Sequence, residues 1–315
     1  MAGYIIRRLG TAVIVVFGLS VGVFWMLHII FPSPAIDVLG PKANIAAIAA
    51  WNKQNGFDSP WIVQYLKYSW GLLHGNLGFS YKLDQSVTSL FATRWQGSAY
   101  LSGVSVVLAI IIALPLGVYQ AVKRNTIGDY TATTVSFVLY AMPIFFLGLI
   151  LIQVFALDLH WFGYGIGRTL NFWQALTDVR DLTLPVATLT LITVANFSRY
   201  MRSSSMDVLA QDYVKVARAK GLPERLVLFR HLVRNASLPM LTLVGLFIPA
   251  LLAGNLVVED VFNYQGLGLL FYNSLGTADY SVLLAYTLIG ALLTVIGNLI
   301  ADVALTVADP RIRLA

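Results

Sequence analysis

The run Asp212-Tyr213-Val214-Lys215-Val216-Ala217-Arg218-Ala219-Lys220-Gly221-Leu222 sets four charged residues among small and apolar ones. It stands in a chain of 315 residues that is 58% hydrophobic and only 11% charged. At helical spacing, Leu209, Tyr213, Val216 and Ala217 fall on one face, and Gln211, Lys215 and Arg218 on the opposite one. Gly221 can take a left-handed backbone and Pro223 lacks an N–H donor, so the helix is expected to stop there at a sharp corner. A second amphipathic stretch follows, with Arg225, Phe229, Leu232 and Val233 along one side and Arg230 and Arg234 along another. The spacing predicts two short helices that make a compact knob within residues 199–236. Two readings fit that pattern. The knob docks on a protein, or it lies on anionic lipid, held by apolar burial and basic charge.

Outward from this segment the chain is apolar on both sides. A helix needs ~20 mainly apolar residues to cross the hydrocarbon of a bilayer. Six stretches qualify, at 9–31, 98–122, 130–157, 182–200, 237–258 and 282–306. The third carries Pro143, which predicts a kink, and the fourth carries Pro185 near its start, where proline costs least. Soluble domains are about a quarter charged, so this chain has too little charge to cover a soluble surface. The expected fold class is therefore all-α, a polytopic membrane protein with six transmembrane helices. With no cysteine, disulfides and thiolate metal sites are excluded.

The net charge of +6 is explained by orientation rather than by nucleic acid, which is not an expected partner. Arg7 and Arg8 precede the first span, whose apolar run is too long for a cleaved signal peptide. Positive charge marks the cytoplasmic side of membrane proteins. Fourteen of the 21 Lys and Arg residues fall in segments that alternation puts inside, including eight between 199 and 236. The short outside loops 158–181 and 259–281 hold two and none. Both termini are thus expected in the cytoplasm of a cell that carries the chain, multi-pass, in its plasma membrane. The expected layout is residues 1–31 as N-terminal end and first span, 32–97 as an extracytoplasmic segment, 98–306 as the transmembrane core and 307–315 as a cytoplasmic tail. In the extracytoplasmic segment Asn44 to Asn55 reads as a short helix and Asn55-Gly56 and Ser59-Pro60 as turns. Trp61, Tyr65, Tyr68 and Trp70 suit either a packed cap or a membrane interface.

Several motifs fail on context. Gly18-Leu19-Ser20-Val21-Gly22 matches a nucleophile elbow but lies inside an apolar helix, with no acidic residue near. Gly18 and Gly22 better suit a close helix crossing. The chain has no G-x-x-x-x-G-K-[ST] loop to cradle a nucleotide phosphate. His28, His74, His160 and His231 lack ligand spacing, and no metal site is expected. Glu259 and Asp260, at the outer end of a span, and Asp302, near the inner end of the last one, suit helix-end anchoring as well as a gate. Gln153, Asn196, Asn255 and Asn298 are polar within spans, and hydrogen bonding between helices is their default role. An ion-coupled secondary transporter would want intramembrane carboxylates and internal repeats, and an intramembrane protease a matched Ser/His pair; neither pattern is present.

The run Asp212 to Leu222, continued to Arg234-Asn235-Ala236-Ser237-Leu238-Pro239, resembles the cytoplasmic coupling loop of ABC importer permeases. It is closest to the dipeptide, oligopeptide and nickel branch, with Lys215 where the generic loop has glutamate and a long gap from Gly221 to Pro239. Tyr4-Ile5-Ile6-Arg7-Arg8-Leu9, Gly75-Asn76-Leu77-Gly78-Phe79-Ser80, Val258-Glu259-Asp260-Val261-Phe262, Ala278-Asp279-Tyr280 and Asp309-Pro310-Arg311-Ile312-Arg313 are similar to that family's other motifs, in order. The resemblance implies a type I ABC importer permease fold in a prokaryotic plasma membrane and no enzymatic activity in this chain. It implies that Asp212, Tyr213, Lys215, Ala217, Arg218, Ala219, Lys220 and Gly221 meet an ATPase subunit. Glu259, Asp260 and Phe262 would lie at the outer gate or binding-protein side. Implied partners are a homologous second permease, two cytoplasmic ATPase subunits or domains, and an extracellular solute-binding protein. ATP and Mg would be bound by the partners, with no cofactor here. The implied cargo is a di- or oligopeptide; nickel chelates and other small solutes are the alternative.

Overall fold

A computed structural model describes residues 2–31, 33–40, 42–248 and 254–308. Four long helices dominate: α1 (Ala2–Ile30), α5 (Val87–Val122), α9 (Val179–Leu209) and α15 (Tyr280–Ala308). Each contains a stretch long and apolar enough to cross a membrane. Between α1 and α5 lie the short helices α2 (Ala35–Leu39), α3 (Ile45–Asn55) and α4 (Trp61–Leu73) and a two-stranded hairpin, β1 (Phe79–Ser80) with β2 (Gln85–Ser86). That hairpin was not expected from the residues between Phe79 and Ser86. The α3 helix forms where expected, because the Asn44 side chain accepts from the Ala47 amide at 2.7 Å and Gly56 closes the other end at φ 78°.

The third expected span is two helices. α6 (Ile127–Ala141) and α7 (residues 144–158, its last seven widened to π turns) meet at an angle of 106°. Pro143 has no N–H to give, and its ring drives Met142 into extended backbone, at ψ 129°. The expected kink is thus a full break. After α8 (Phe172–Thr177), α9 starts at Val179, so Pro185 lies in its second turn rather than at its start. α5 likewise begins well before the apolar run, at Val87, capped by the Ser86 side chain. The fifth expected span contains α12 (Leu238–Leu246) and, after Gly254 at φ 84°, α13 (Leu256–Val261), restarted by the Asn255 side chain at the Val258 amide. Its middle, 249–253, lies outside the described residues, as does the C-terminal motif 309–313. α14 (Leu267–Gly276) leads into α15.

The core is built around α9, which packs along the length of α5. Ala109, Ala113 and Gly117 of α5 let Val194, Phe197 and Met201 of α9 come close. A Cβ at Gly117 would lie 2.6 Å from that of Met201, so only glycine fits there. Ser105 and Thr190 exchange hydroxyl bonds across the pair, to Val186 O at 3.3 Å and Ser105 O at 3.4 Å. Gly245 of α12 sits as tightly against Ala301 of α15. Gly18 and Gly22, expected at a helix crossing, have nothing within 4 Å of an added Cβ. α1 touches the rest mainly near its end, where Phe24 meets Tyr65, Tyr68 and Tyr280. Tyr65 and Tyr68 are thus packing residues, while Trp61 and Trp70 face outward.

Two polar residues within the spans behave differently from expectation. Gln153 donates to Asp158 within α7, and Asn196 to Ile192 O within α9, so neither ties two helices together.

Candidate functional site: the helical knob and its attachment

α9 ends at Leu209, and Gln211, in extended backbone, redirects the chain into α10 (Asp212–Ala219). Gly221 turns the corner at φ 75°, its amide on Arg218 O at 2.9 Å. The return helix α11 covers residues 224–236, with π turns from Val227 to Val233. The Arg218 guanidinium clasps Glu224 with both arms, at 2.6 and 3.2 Å, across the corner. That fork holds the Glu224 carboxyl below the usual carboxylate range. Both partners are partly exposed, so the bond is worth at most ~1 kcal/mol.

The buried face of α10 differs from the expected one. Val214 and Ala217 turn inward onto Val227, with Val208, Leu209 and Leu222 around them. Tyr213 and Val216, expected to share that face, are 43% and 51% exposed. The pattern misled because the inward stripe is set by where α11 returns, which periodicity in α10 alone does not encode. Ala217 is therefore internal packing. Tyr213, Val216, Ala219 and Lys220 form the outward surface, beside Asp212 and Lys215, which pair at 2.9 Å.

The knob is fastened to the long helices. Leu232 and Ala236 of α11 are fully buried against Phe197 and Met201 of α9. Beside them Arg202 of α9 gives two bonds of 3.0 Å to Asp129 of α6. Asp129 is only 1% exposed and also accepts from the Asn125 amide at 3.0 Å and the Thr133 hydroxyl at 3.2 Å. A buried charge so satisfied ties α6 firmly to α9. Sequence reasoning missed this pair. Its signal was an acid and an arginine each at the same end of an apolar span, but nothing in the sequence said those spans touch.

At the opposite end of the bundle the candidate gate residues separate. Glu259 is 0% exposed, so it does not reach water as an end anchor would. It accepts from Ser98 at 2.8 Å, the Asn255 amide at 3.2 Å and the Leu269 amide at 3.0 Å. It thereby sits on the first turn of α14, where free amides favour an anion. Gly254 and Gly266 press against this carboxylate, and a side chain on either would collide with it. Phe262 is buried against Gly148 of α7. Of the three, only Asp260 faces outward.

Among the described residues no cluster of His, Asp and Glu could hold a metal ion. What remains is a knob of stated shape, clamped to a bundle of membrane-length helices. Residues 113–314, which include it, match the model for the inner membrane component of binding-protein-dependent transport systems. The chain belongs to this family. Residues 1–95 match the N-terminal model of the same membrane components, so one matched stretch ends and the other begins within α5, with residues 96–112 between them. The chain is 39% identical to the oligopeptide transport system permease protein AppB of Bacillus subtilis, over 99% of this chain and 100% of the relative. It is 36% identical to the glutathione transport system permease protein GsiC of Escherichia coli O6:H1, over 99% of each. To the dipeptide transport system permease protein DppB of Escherichia coli K12 it is 33% identical, again over 99% of each. Family membership makes the chain a helical membrane permease subunit rather than an enzyme.

Proposed function

We propose that this chain forms, with a homologous second permease, the path by which an ATP-driven ABC importer brings di- or oligopeptides across the plasma membrane. Both termini and the α10–α11 knob lie in the cytoplasm, where each permease receives one of two ATPase subunits that bind ATP and Mg. A solute-binding protein delivers cargo to the opposite end, where Asp260, α3, α4 and the hairpin lie. The observation that carries the reading is the knob. Its outward surface of Tyr213, Val216 and Ala219 stands on a small core of its own, and α11 locks it to α9. A push on α10 therefore moves α9 and, through Asp129, α6. The peptide cargo is supported by the names of the three full-length relatives, which transport oligopeptides, glutathione and dipeptides. The motion is a population shift, with ATP favouring one opening of the path and hydrolysis the other.

The test is reconstitution of the complete importer in vesicles. ATP-dependent uptake of labelled peptide is expected, together with cross-linking of a cysteine at Val216 to an ATPase subunit. The permease purified alone should not turn over ATP. No peptide uptake by an importer whose ATPase is active, or no cross-link at Val216, would overturn the proposal.

A further inference from the structure

α9 is the most enclosed of the long helices, and what it leaves uncovered does not suit a bilayer. Asn196, Arg199, Tyr200, Ser203 and Asp207 recur at intervals of three and four, a single helical stripe. All are half-buried or exposed, Tyr200 by 55%. The uncovered face of α5 makes the contrast: Val107, Leu108, Ile111 and Ile112, all apolar. The stripe starts inside the expected span at Asn196 and runs on into the basic segment that begins at 199, so this side of α9 meets water or protein at the inner end of the bundle. Between it and α6 opens a cleft of about 320 Å³, lined by Tyr140, Asn196, Arg199, Tyr200 and Ser203.

Arg199 is held in that cleft. Its guanidinium carbon lies 4.3 Å from the ring centre of Tyr140 and 4.8 Å from that of Phe137. Stacked aromatic faces fix the plane of a guanidinium and leave the N–H donors on its edge free to point into the cleft. One turn further along α9, Arg202 has its carboxylate in Asp129; among the described residues Arg199 makes no ion pair. A fork of in-plane donors on a fixed cation matches a carboxylate. The Asn196 amide nitrogen is turned back to Ile192 O at 3.2 Å, which leaves its oxygen to accept an N–H from a ligand.

We propose that Arg199 is a carboxylate-binding station on the translocation path, taking the C-terminal carboxylate of a peptide in transit. Tyr140, Tyr200, Asn196 and Ser203 form its walls. The proposal deepens the permease reading and rests on it. Binding at such a station is weak by design, because a path must release what it holds.

The test uses the complete importer in vesicles and one peptide in two forms, free acid and C-terminal amide. Concentrations are set so that the binding protein is equally loaded with each. The wild type should move the acid faster. Arg199→Gln should slow uptake of the acid roughly tenfold, the scale of one charge-assisted bond, and bring it down to the rate of the amide. Stimulation of ATP hydrolysis by the loaded binding protein should persist, which shows that the assembly is intact. Because the chain has no cysteine, Ser203→Cys supplies a single reporter. A hydrophilic thiol reagent should label it, and the acid but not the amide should protect it during turnover.

Three results overturn the station. Unchanged acid uptake in Arg199→Gln would do so. So would equal loss of acid and amide with release of the second permease, which makes Arg199 an interface residue. The third is an effect that follows the anionic lipid content of the vesicles and ignores the peptide terminus, which makes a lipid phosphate its partner. Failure of the permease reading itself looks different: the wild-type importer then takes up neither form.

Discussion

At the scale of residues, the knob separates packing from docking. Ala217 has a buried side chain on Val214 and Val227, so Ala217→Glu forces a carboxylate into that small core. A buried unpaired charge is among the costliest single changes. The variant should lower the thermal midpoint of the purified permease, whereas Val216→Glu, at an exposed site, should leave the midpoint unchanged and lose the ATPase subunits on copurification. Equal midpoints for the two variants would remove the division. Gly221 makes a separate point. Space around it is open, but at φ 75° a β-branched residue is strained by about 1–2 kcal/mol. Gly221→Val should therefore reduce uptake strongly, and Gly221→Asn, which accepts left-handed backbone, much less. If Asn behaves as badly as Val, backbone geometry is not what the glycine supplies.

At the scale of elements, the Asp129–Arg202 bond is the one polar fastener between α6 and α9 with charge on both sides among the described residues. Removing one partner leaves the other buried and unpaired, which costs about 3–5 kcal/mol when burial is complete, and less here because Arg202 is partly exposed. Asp129→Asn and Arg202→Gln should each destabilise the permease, and the double variant should be no worse than the worse single. Additive losses would show that the two side chains act separately. Element by element, the sequence was readable where a local rule sufficed. Asn44 and Gly56 bound α3, Pro143 broke the third span, and Gly221 made the corner. It was not readable where an element's surroundings decide. The inward face of α10 depends on the return of α11, the closeness of α5 and α9 depends on Gly117 meeting Met201, and Gly18 and Gly22 found no neighbour despite their spacing. Glu259 looked like an end anchor because a helix terminus is near water by default. Only the fold of residues 254–269 over it shows that it is enclosed.

At the scale of the whole molecule, the two ends of the bundle have different characters. One carries the knob and the clasped α6 and α9; the other carries the hairpin, α3, α4 and the Glu259 enclosure. Single cysteines read with an impermeant reagent on intact cells test the proposed sidedness. Labelling is expected at Gln54 and Asn273 and protection at Arg124 and Gln211, all exposed sites. The reverse pattern would invert the orientation. The Asp129–Arg202 bond also bears on biogenesis. α9 is the least apolar of the four long helices and carries three arginines, Arg180, Arg199 and Arg202, so it partitions poorly into lipid by itself. α6 leaves the ribosome earlier and brings the carboxylate that neutralises one of them. Insertion of α9 is then a cooperative event at the translocon, in which α6 must still be waiting beside the lateral exit when α9 arrives. A lesion at Asp129 would thus be felt first as chains discarded during synthesis, before any cargo is offered.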